Sequence, residues 1–223
     1  MIKAVTFDLW GTLILNSSQY ERELARKRED LLFASLGGQI SRENIRAAME
    51  YAQSGIEKMR ETMRDVPTSE HIRLLKAFLK IDSNLEPAYA EAVLHFMPAL
   101  NPYSLEVLTR VKSVAKVGLI SNTGITPGRV LRKALSDLGI WSLFDVGLFS
   151  NEVGYLKPHP RIFEDASRKL GVSFDEMLHV GDDRVADIEG ASGVGMNAIL
   201  VEDPGDLLHV LDVVPNGGHE HVR

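Results

Sequence analysis

The spacing of hydrophobic residues changes twice along the chain and divides it into three stretches. Residues 3–7, KAVTF, form a short β-rich apolar run that predicts a buried strand. From about residue 17 to residue 99 no stretch has the pattern of a strand, and helical segments follow one another. From Asn101 onward, predicted helices alternate with predicted strands. This order indicates a helical block inserted into an α/β protein.

The helical block contains four segments, which predict a small bundle. The segments span 17–38, 41–65, 68–81 and 86–97. Two of them carry apolar side chains at the spacing of a helix, namely Ile45, Met49, Ala52 and Ile56 in the second, and Ile72, Leu75 and Phe78 in the third. We interpret these stripes as the core of the bundle.

The alternating stretch predicts strands that run parallel, with helices on both faces of the sheet. The strands are expected near residues 116–122, 144–150, 176–182 and 197–201. In such sheets ligands bind beyond the carboxyl ends of the strands. The residues that follow each predicted strand are therefore the first candidates for catalytic and ligand-binding residues.

Composition and charge narrow the class of protein. The chain has 223 residues, of which 44% are hydrophobic and 25% charged, as is ordinary for a soluble globular protein. A net charge of −6 argues against nucleic acid or an anionic membrane as the main partner, but it does not exclude a small phosphorylated substrate. The chain has no Cys, which excludes disulfides and Cys-based catalysis. We expect a cytoplasmic protein that does not span a membrane, with its oligomeric state open between monomer and dimer.

Polar residues collect just after the predicted strands. They are Asp8 and Thr12, then Ser121 and Asn122, then Lys157, and finally Asp182, Asp183 and Asp187. Each alone is typical of a turn or a helix cap. Four such groups at the carboxyl ends of one sheet are harder to explain as turns, and carboxylates crowded together repel one another unless a cation is present.

This set of residue types suits phosphoryl transfer. Asp8 is the candidate nucleophile, which would form an aspartyl-phosphate. Mg²⁺ prefers oxygen ligands, which Asp8 and Asp182 can supply, while Asp183 or Asp187 can hold metal-bound water or orient Lys157. Lys157 would offset the charge on nucleophile and phosphate.

The remaining polar pair would bind the phosphate. The Ser121 hydroxyl and the backbone N–H groups near it can donate to phosphate oxygens, and Asn122 and Trp10 are further candidates for substrate binding.

At these residues the chain resembles the haloacid dehalogenase-like hydrolase superfamily. FDLWGTL, LISN, YLKPHPRIF and HVGDDRVAD look like its four motifs, in the right order. The resemblance implies a Rossmann-like, doubly wound parallel sheet at 1–15 and 100–215, with a mobile α-helical cap domain at 16–99. The tail at 216–223 is predicted to be disordered.

Carried over by position, the resemblance gives each residue a role. Asp8 would be the nucleophile, and Thr12 would help to hold the loop around it. Ser121 would bind phosphate and Lys157 would stabilise charge. The acidic pair of the last motif would be Asp182 and Asp187, which are candidate metal ligands together with Asp8 and the backbone carbonyl of Trp10.

Trp10 departs from the family pattern, because the phosphatases usually have an Asp there that acts as general acid and base. Trp10 keeps the carbonyl and loses the acid, which is worth about 10²–10⁴-fold in rate. The family's metal-independent 2-haloacid dehalogenases also lack this Asp, but they carry Ser and Asn where this chain has Asp182 and Arg184. The sequence therefore favours a Mg²⁺-dependent phosphatase of a small phosphorylated metabolite. A 2-haloacid dehalogenase and a catalytically impaired binding protein remain as alternatives.

Three further residues are given structural interpretations. Arg60 and Arg64 lie four residues apart on one predicted helix; they could bind a substrate anion, but a solvated charged face is the favoured interpretation. His179 precedes the last motif on a buried strand and is interpreted as a core histidine with satisfied hydrogen bonds.

Overall fold

Five parallel strands form one sheet at the centre of the fold. A computed structural model describes residues 1–214, and the predicted disordered tail at 216–223 lies outside these residues. The strands are β1 (Ala4–Phe7), β2 (Lys116–Ser121), β3 (Val146–Phe149), β4 (Met177–Gly181) and β5 (Asn197–Leu200). Their order is β3-β2-β1-β4-β5, so β1 lies in the middle and is completely buried.

Side chains of each strand alternate between two apolar layers. In β1, Val5 and Phe7 face the layer that contains Leu131 and Leu135, whereas Ala4 faces the opposite layer. Parallel strands buried on both faces read as continuous apolar runs, which is why the short β1 pattern was sufficient to predict a strand.

The helices form two groups. One group is an insert between β1 and β2, and the other covers the two faces of the sheet. The insert contains α1 (Ser18–Ser35), α2 (Arg42–Arg60), α3 (Thr68–Leu79), α4 (Glu86–Ala90) and α5 (Ala92–His95). The sheet is flanked by α6 (Ser104–Lys112), α7 (Gly128–Asp137), α8 (Ser150–Val153), α9 (Pro160–Leu170), α10 (Gly190–Gly193) and α11 (Val210–Val213). A π-helical turn, Arg184–Glu189, precedes α10. We refer to α1–α5 as the helical insert.

The helical insert has its own apolar cluster, but one predicted stripe is partly wrong. Ile45, Ala52 and Ile56 of α2 are fully buried, as predicted. On α3 the buried face is formed by His71, Leu74 and Leu75. Phe78 is 41% exposed and contacts the exposed ring of Tyr51, with 5.3 Å between the ring centroids. Ile72 and Phe78 lie at the edges of the buried face of α3. The apolar spacing therefore predicted a buried face that is rotated about the helix axis from the observed one.

The fourth predicted helix, at 86–97, is two short helices. The backbone leaves helical geometry at Glu91 (φ −99°, ψ 7°), which separates α4 from α5. Ala88 and Tyr89 pack in the cluster of the helical insert, whereas Ala92 and Val93 pack with Leu24. The break lets two successive turns contact two different apolar clusters, which a single straight helix would not do.

The α/β fold class with a parallel sheet and helices on both faces is confirmed. The division into a core domain at 1–15 and 100–215 and a cap domain at 16–99 stays a prediction, as does the cytoplasmic location. In the part of the chain that the structure describes, no helix combines the length and the apolar composition needed to cross a bilayer.

Candidate active site

The predicted site residues meet at the carboxyl end of the sheet, where β1 lies between β2 and β4. Asp8 directly follows β1, Ser121 is the last residue of β2, and Asp182 directly follows β4. Because β2 and β4 flank β1 on opposite sides, their connections leave in opposite directions and open a crevice. The structure thus brings together residues that are up to 179 positions apart, from Asp8 to Asp187.

Asp8 and Lys157 form a buried ion pair at the bottom of this crevice. The distance from Lys157 Nζ to Asp8 Oδ1 is 2.5 Å, and the side chains are 1% and 9% exposed. Burial raises the pKa of Asp8 to about 7 against the opposing effect of Lys157, and the neighbouring Asp187 adds to the rise. Burial alone would lower the pKa of Lys157, but the two carboxylates outweigh burial and raise it. Lys157 therefore stays charged beside the candidate nucleophile.

Asp187 fixes the position of Lys157 from the other side. Its Oδ1 accepts from Lys157 Nζ at 2.6 Å and contacts His179 Nε2 at 3.0 Å, while its Oδ2 accepts from the backbone N–H of Asp183 at 3.1 Å. Burial alone would raise the pKa of Asp187, but Lys157 and His179 outweigh it and hold this pKa well below its usual range. Gly181 makes room for this carboxylate, since a Cβ there would lie 2.2 Å from Asp187 Cγ.

His179 supports Asp187 in turn. The His179 Nδ1 lies 2.8 Å from Thr6 Oγ1, so both ring nitrogens have partners, in agreement with a satisfied core histidine. Burial lowers the pKa of His179, against the opposing effect of Asp187, and favours the neutral ring. A neutral ring has one N–H, so Nε2 donates to Asp187 while Nδ1 accepts from Thr6. Thr6, His179 and Asp187 therefore form a chain that ends on Lys157.

Asp182 approaches the nucleophile from the loop after β4 and is exposed to the crevice. Thr12 Oγ1 donates to Asp182 Oδ1 at 3.4 Å, so its side chain orients Asp182 rather than only holding the loop around Asp8. Gly11 has a φ of +87°, and a Cβ there would lie 2.2 Å from Asp182 Oδ2. Only glycine fits both the turn and the close carboxylate.

These carboxylates have the arrangement of a cation site. Oxygen atoms of Asp8, Asp182 and Asp187 all lie within 4.8 Å of one another. Burial, and then the charge of Asp187, raise the pKa of Asp182, as expected for crowded acids. Three carboxylates against one lysine leave surplus negative charge, and an all-oxygen donor set suits Mg²⁺. The residues present therefore fit this ion.

The Ser121 and Asn122 side chains behave differently. Ser121 is buried at the end of β2, and its hydroxyl has no hydrogen-bond partner among the described residues, so its role as a phosphate donor stays a prediction. Asn122 is engaged with the lysine loop: its Oδ1 accepts from the N–H of Lys157 at 2.8 Å, and its Nδ2 donates to the carbonyl of Lys157 at 2.9 Å. Asn122 therefore positions Lys157 as well as lining the crevice.

Trp10 packs the loop after β1 against the helical insert. Its ring centroid lies 6.3 Å from that of Tyr20, which stacks on Phe96 at 5.2 Å. Trp10 also packs against two apolar clusters, one that contains Val5 and Phe7 of the sheet and one that contains Leu24 of α1. The side chain at this position therefore contributes packing between the sheet and α1 and brings no titratable group to the crevice.

Two adjoining cavities open from the crevice. The small cavity, of about 150 Å³, is lined by Asp8, Trp10, Asn122, Lys157, Asp182, Asp183, Ala186 and Asp187. The large cavity, of about 440 Å³, shares Trp10 and Asn122 with it and extends to Arg28 and Arg60 of the helical insert.

Asp183 uses its Oδ1 to accept from the N–H groups of Val185 and Ala186, both at 2.8 Å, and so caps the π-helical turn.

The interpretation of Arg60 as part of a solvated face is wrong. Arg60 is partly buried, donates from Nε to Asp65 Oδ1 at 2.8 Å, and donates to the carbonyl of Thr123. Asp65 Oδ2 accepts from Ser150 Oγ at 2.5 Å, and Ser150 Oγ accepts from the N–H of Thr123 at 2.7 Å. This network ties the loop after α2 to the loop after β2. Arg64 is exposed, with its guanidinium carbon 5.4 Å from the ring centroid of Tyr155.

The motifs gave no signal for Asp65, Ser150 or Arg28, because each is defined by a partner far away in the chain. Asp65 and Ser150 are 85 positions apart, and Arg28 reaches Thr126, 98 positions away. These residues stand out because they are polar and at least partly buried, and a sequence does not reveal burial.

Comparison with known proteins adds family information to this geometry. A model of the haloacid dehalogenase-like hydrolase family matches residues 2–195. A glyceraldehyde 3-phosphate phosphatase of Methanopyrus kandleri is 30% identical over 208 residues, which are 90% of this chain and 84% of that protein. A phosphoglycolate phosphatase of Salmonella paratyphi A is 26% identical over 214 residues, which are 89% of this chain and 80% of that protein.

Solved structures show the same architecture. A HAD phosphatase from Thermococcus onnurineus has a TM-score of 0.63 and 27% identity, covering 90% of this chain and 86% of that chain. A 2-haloacid dehalogenase from Pseudomonas syringae has a TM-score of 0.70 and 22% identity, and the match covers 95% of this chain and 99% of that chain. The latter likeness shows the shared fold alone.

Proposed function

The chain belongs to the haloacid dehalogenase-like hydrolases, as its motifs predict, and we propose that it is a Mg²⁺-dependent phosphatase of small phosphorylated metabolites. One observation carries this proposal: a lysine-bound candidate nucleophile lies beside two further carboxylates, with oxygens of all three within 4.8 Å. Relatives named as phosphatases of small phosphate esters support it.

The surplus charge separates this proposal from dehalogenation. A haloacid carries a carboxylate, and Asp182 at the mouth of the crevice would repel it unless a cation were bound. A phosphate ester is also anionic, but a bound Mg²⁺ would supply two positive charges for it. The same three acids that disfavour a metal-independent reaction therefore favour a metal-assisted one.

The chain's own residues supply nucleophile and charge. An Asp8 carboxylate oxygen attacks phosphorus, an aspartyl-phosphate bond forms, and the bond from phosphorus to the leaving oxygen breaks. Water then attacks phosphorus, releases inorganic phosphate and restores the carboxylate. Lys157, held by Asp187 and Asn122, neutralises charge at the nucleophile throughout.

Asp8, Asp182 and the Trp10 carbonyl would hold Mg²⁺ directly. Asp187 stays a candidate ligand, although its oxygens already accept hydrogen bonds from Lys157 and Asp183. When bound, Mg²⁺ supplies positive charge that balances the crowded carboxylates and a transferring phosphoryl group.

The test is phosphate release from a panel of small phosphomonoesters and p-nitrophenyl phosphate, with Mg²⁺ and with EDTA. We expect turnover with Mg²⁺, loss of it in EDTA, and a fall of at least about 10³-fold in kcat for Asp8→Asn. The matched control is Asp137→Asn, which removes an exposed carboxylate that pairs with Lys133 on α7 and should leave kcat unchanged.

Three outcomes would contradict the proposal. Retained activity in Asp8→Asn would remove Asp8 as nucleophile. Chloride release from 2-chloropropionate that persists in EDTA would establish the dehalogenase instead. Binding of Mg²⁺ and phosphate analogues without turnover of any substrate would favour a catalytically impaired binding protein.

A further inference from the structure

Arg28 lines the large cavity, which adjoins the cavity of the candidate nucleophile at Trp10 and Asn122. It projects from α1, where its Nε donates to the carbonyl of Tyr89 at 3.2 Å and its Nη2 donates to Thr126 Oγ1 at 3.3 Å. Thr126 belongs to the loop after β2, so the guanidinium spans the contact between the helical insert and the sheet. Both of its acceptors are neutral oxygens.

The charge of Arg28 is not balanced by an acid in residues 1–214. No carboxylate oxygen there lies within 4.0 Å of its guanidinium, whereas Arg46 of α2 pairs with Glu29 at 3.2 Å and Arg60 with Asp65 at 2.7 Å. Burial lowers the pKa of Arg28, and the groups that oppose this are two tyrosines rather than carboxylates. A partly buried, unbalanced cation costs solvation energy that a bound anion would offset.

The cavity connects this cation to the reacting end. Trp10 and Asn122 line both cavities, so the two cavities adjoin at these residues, and Arg28 lines the large one. Its volume of about 440 Å³ suits a small metabolite. A phosphoryl group at Asp8 would place the leaving group of the ester in the large cavity.

We propose that Arg28 binds a carboxylate on the leaving-group side of the substrate, so that the preferred substrates are small phosphomonoesters that carry a carboxylate. This inference rests on the proposed phosphatase function. Guanidinium N–H groups remain for such a ligand, and the planar fork matches a carboxylate. Arg60 lines the same cavity, but Asp65 already balances its charge.

The test compares kcat/KM for 2-phosphoglycolate and for 2-hydroxyethyl phosphate, in which a hydroxymethyl group replaces the carboxylate. We expect the wild type to prefer 2-phosphoglycolate by at least about tenfold. Arg28→Gln should lower kcat/KM for 2-phosphoglycolate by about 10–100-fold and change that for 2-hydroxyethyl phosphate by less than about threefold. The matched control is Arg26→Gln, on the same helix but exposed, which should leave both values unchanged.

A binding measurement separates this inference from the phosphatase proposal. Calorimetric titration of both compounds into Asp8→Asn and into Asp8→Asn/Arg28→Gln needs no turnover. If neither compound is hydrolysed by the wild type, but Asp8→Asn prefers 2-phosphoglycolate and the double variant does not, the phosphatase proposal fails and the Arg28 site stands. Equal binding or turnover of the two compounds, an equal loss of both with Arg28→Gln, or binding of neither would overturn the Arg28 site.

Discussion

Trp10 occupies the position where the phosphatases of this family usually carry a general acid, and the structure gives its side chain a packing role. Trp10 packs against one apolar cluster of the sheet and one of the helical insert, and its indole lies next to Tyr20 of α1. A phosphatase with Trp10 at this position would lack the usual proton donor for the leaving oxygen. Substrates with good leaving groups should suffer least from this arrangement.

Replacing Trp10 by Asp should restore acid catalysis. We expect Trp10→Asp to exceed the matched variant Trp10→Asn by at least about tenfold in kcat on alkyl phosphates, which are poor leaving groups. The two variants should differ little on p-nitrophenyl phosphate. Comparing Asp with Asn cancels the lost packing of the indole, which lowers the stability of both by about 3 kcal/mol or more. Equal kcat values on alkyl phosphates would show that the carboxylate does not reach the leaving oxygen.

The residues that meet in the crevice could be predicted where a motif encodes them and not where packing brings them together, and their roles stay predictions. The order and spacing of the motifs identified Asp8, Lys157 and Asp182. The contact of Thr12 with Asp182, and that of Asn122 with Lys157, depend on how two loops meet in space. Neither contact leaves a pattern within one segment of the chain.

At the scale of elements, α3 buries a histidine in the helical insert. His71 is 1% exposed, and neither ring nitrogen has a hydrogen-bond partner among the described residues. Burial lowers its pKa to about 4, with Arg60 and Arg28 adding to the effect and Glu70 opposing it. The native state therefore holds this ring neutral at pH values where an unfolded chain protonates it.

This pKa predicts a loss of stability in mild acid. In the unfolded chain His71 takes up a proton below its ordinary pKa of about 6.5. In the folded chain it does so only near pH 4, so unfolding binds a proton between these values and stability falls as the pH falls. From pH 7 to pH 5 we expect a loss of about 2 kcal/mol that His71→Leu removes. Urea unfolding of both proteins at the two pH values measures it, and identical pH dependence would refute the role of His71.

The type of most elements could be predicted, because helix and sheet have different hydrophobic periods. The sequence did not reveal the break at Glu91 or the π-helical turn at Arg184–Glu189. In the latter, the N–H of Ile188 reaches the carbonyl of Asp183 at 3.3 Å. The π-helical turn carries Asp187, whose carboxylate contacts Lys157 and His179, and these contacts are not visible in the sequence of the turn.

At the scale of the whole molecule, a buried polar network joins the helical insert to the sheet. Asp65, whose side chain is not exposed, accepts from Arg60 and from Ser150. Ser150 in turn holds the N–H of Thr123, two residues after Ser121. The position of the helical insert is thereby coupled to the loop that we expect to bind phosphate.

Breaking this network should affect both stability and substrate binding. We expect Asp65→Asn to lose about 2–4 kcal/mol of unfolding free energy, because it leaves Arg60 partly buried without its acid. It should also raise KM more than it lowers kcat, since the Thr123 loop loses its support. Thermal unfolding and steady-state kinetics measure these effects. Asp137→Asn, which breaks an exposed pair with Lys133, should change stability by less than about 0.5 kcal/mol. A similarly small change in Asp65→Asn would contradict the coupling.

The aromatic cluster of Trp10, Tyr20 and Phe96 provides a way to observe the molecule at work. The chain contains two tryptophans, and Trp141 packs against Phe149 on the sheet. Trp10 alone of the two borders both cavities of the crevice. The fluorescence of Trp10 depends on the solvent exposure of the indole and on the groups packed around it. The crevice therefore carries its own optical reporter, which would respond to an arriving ligand or to a shift of α1 without any attached dye.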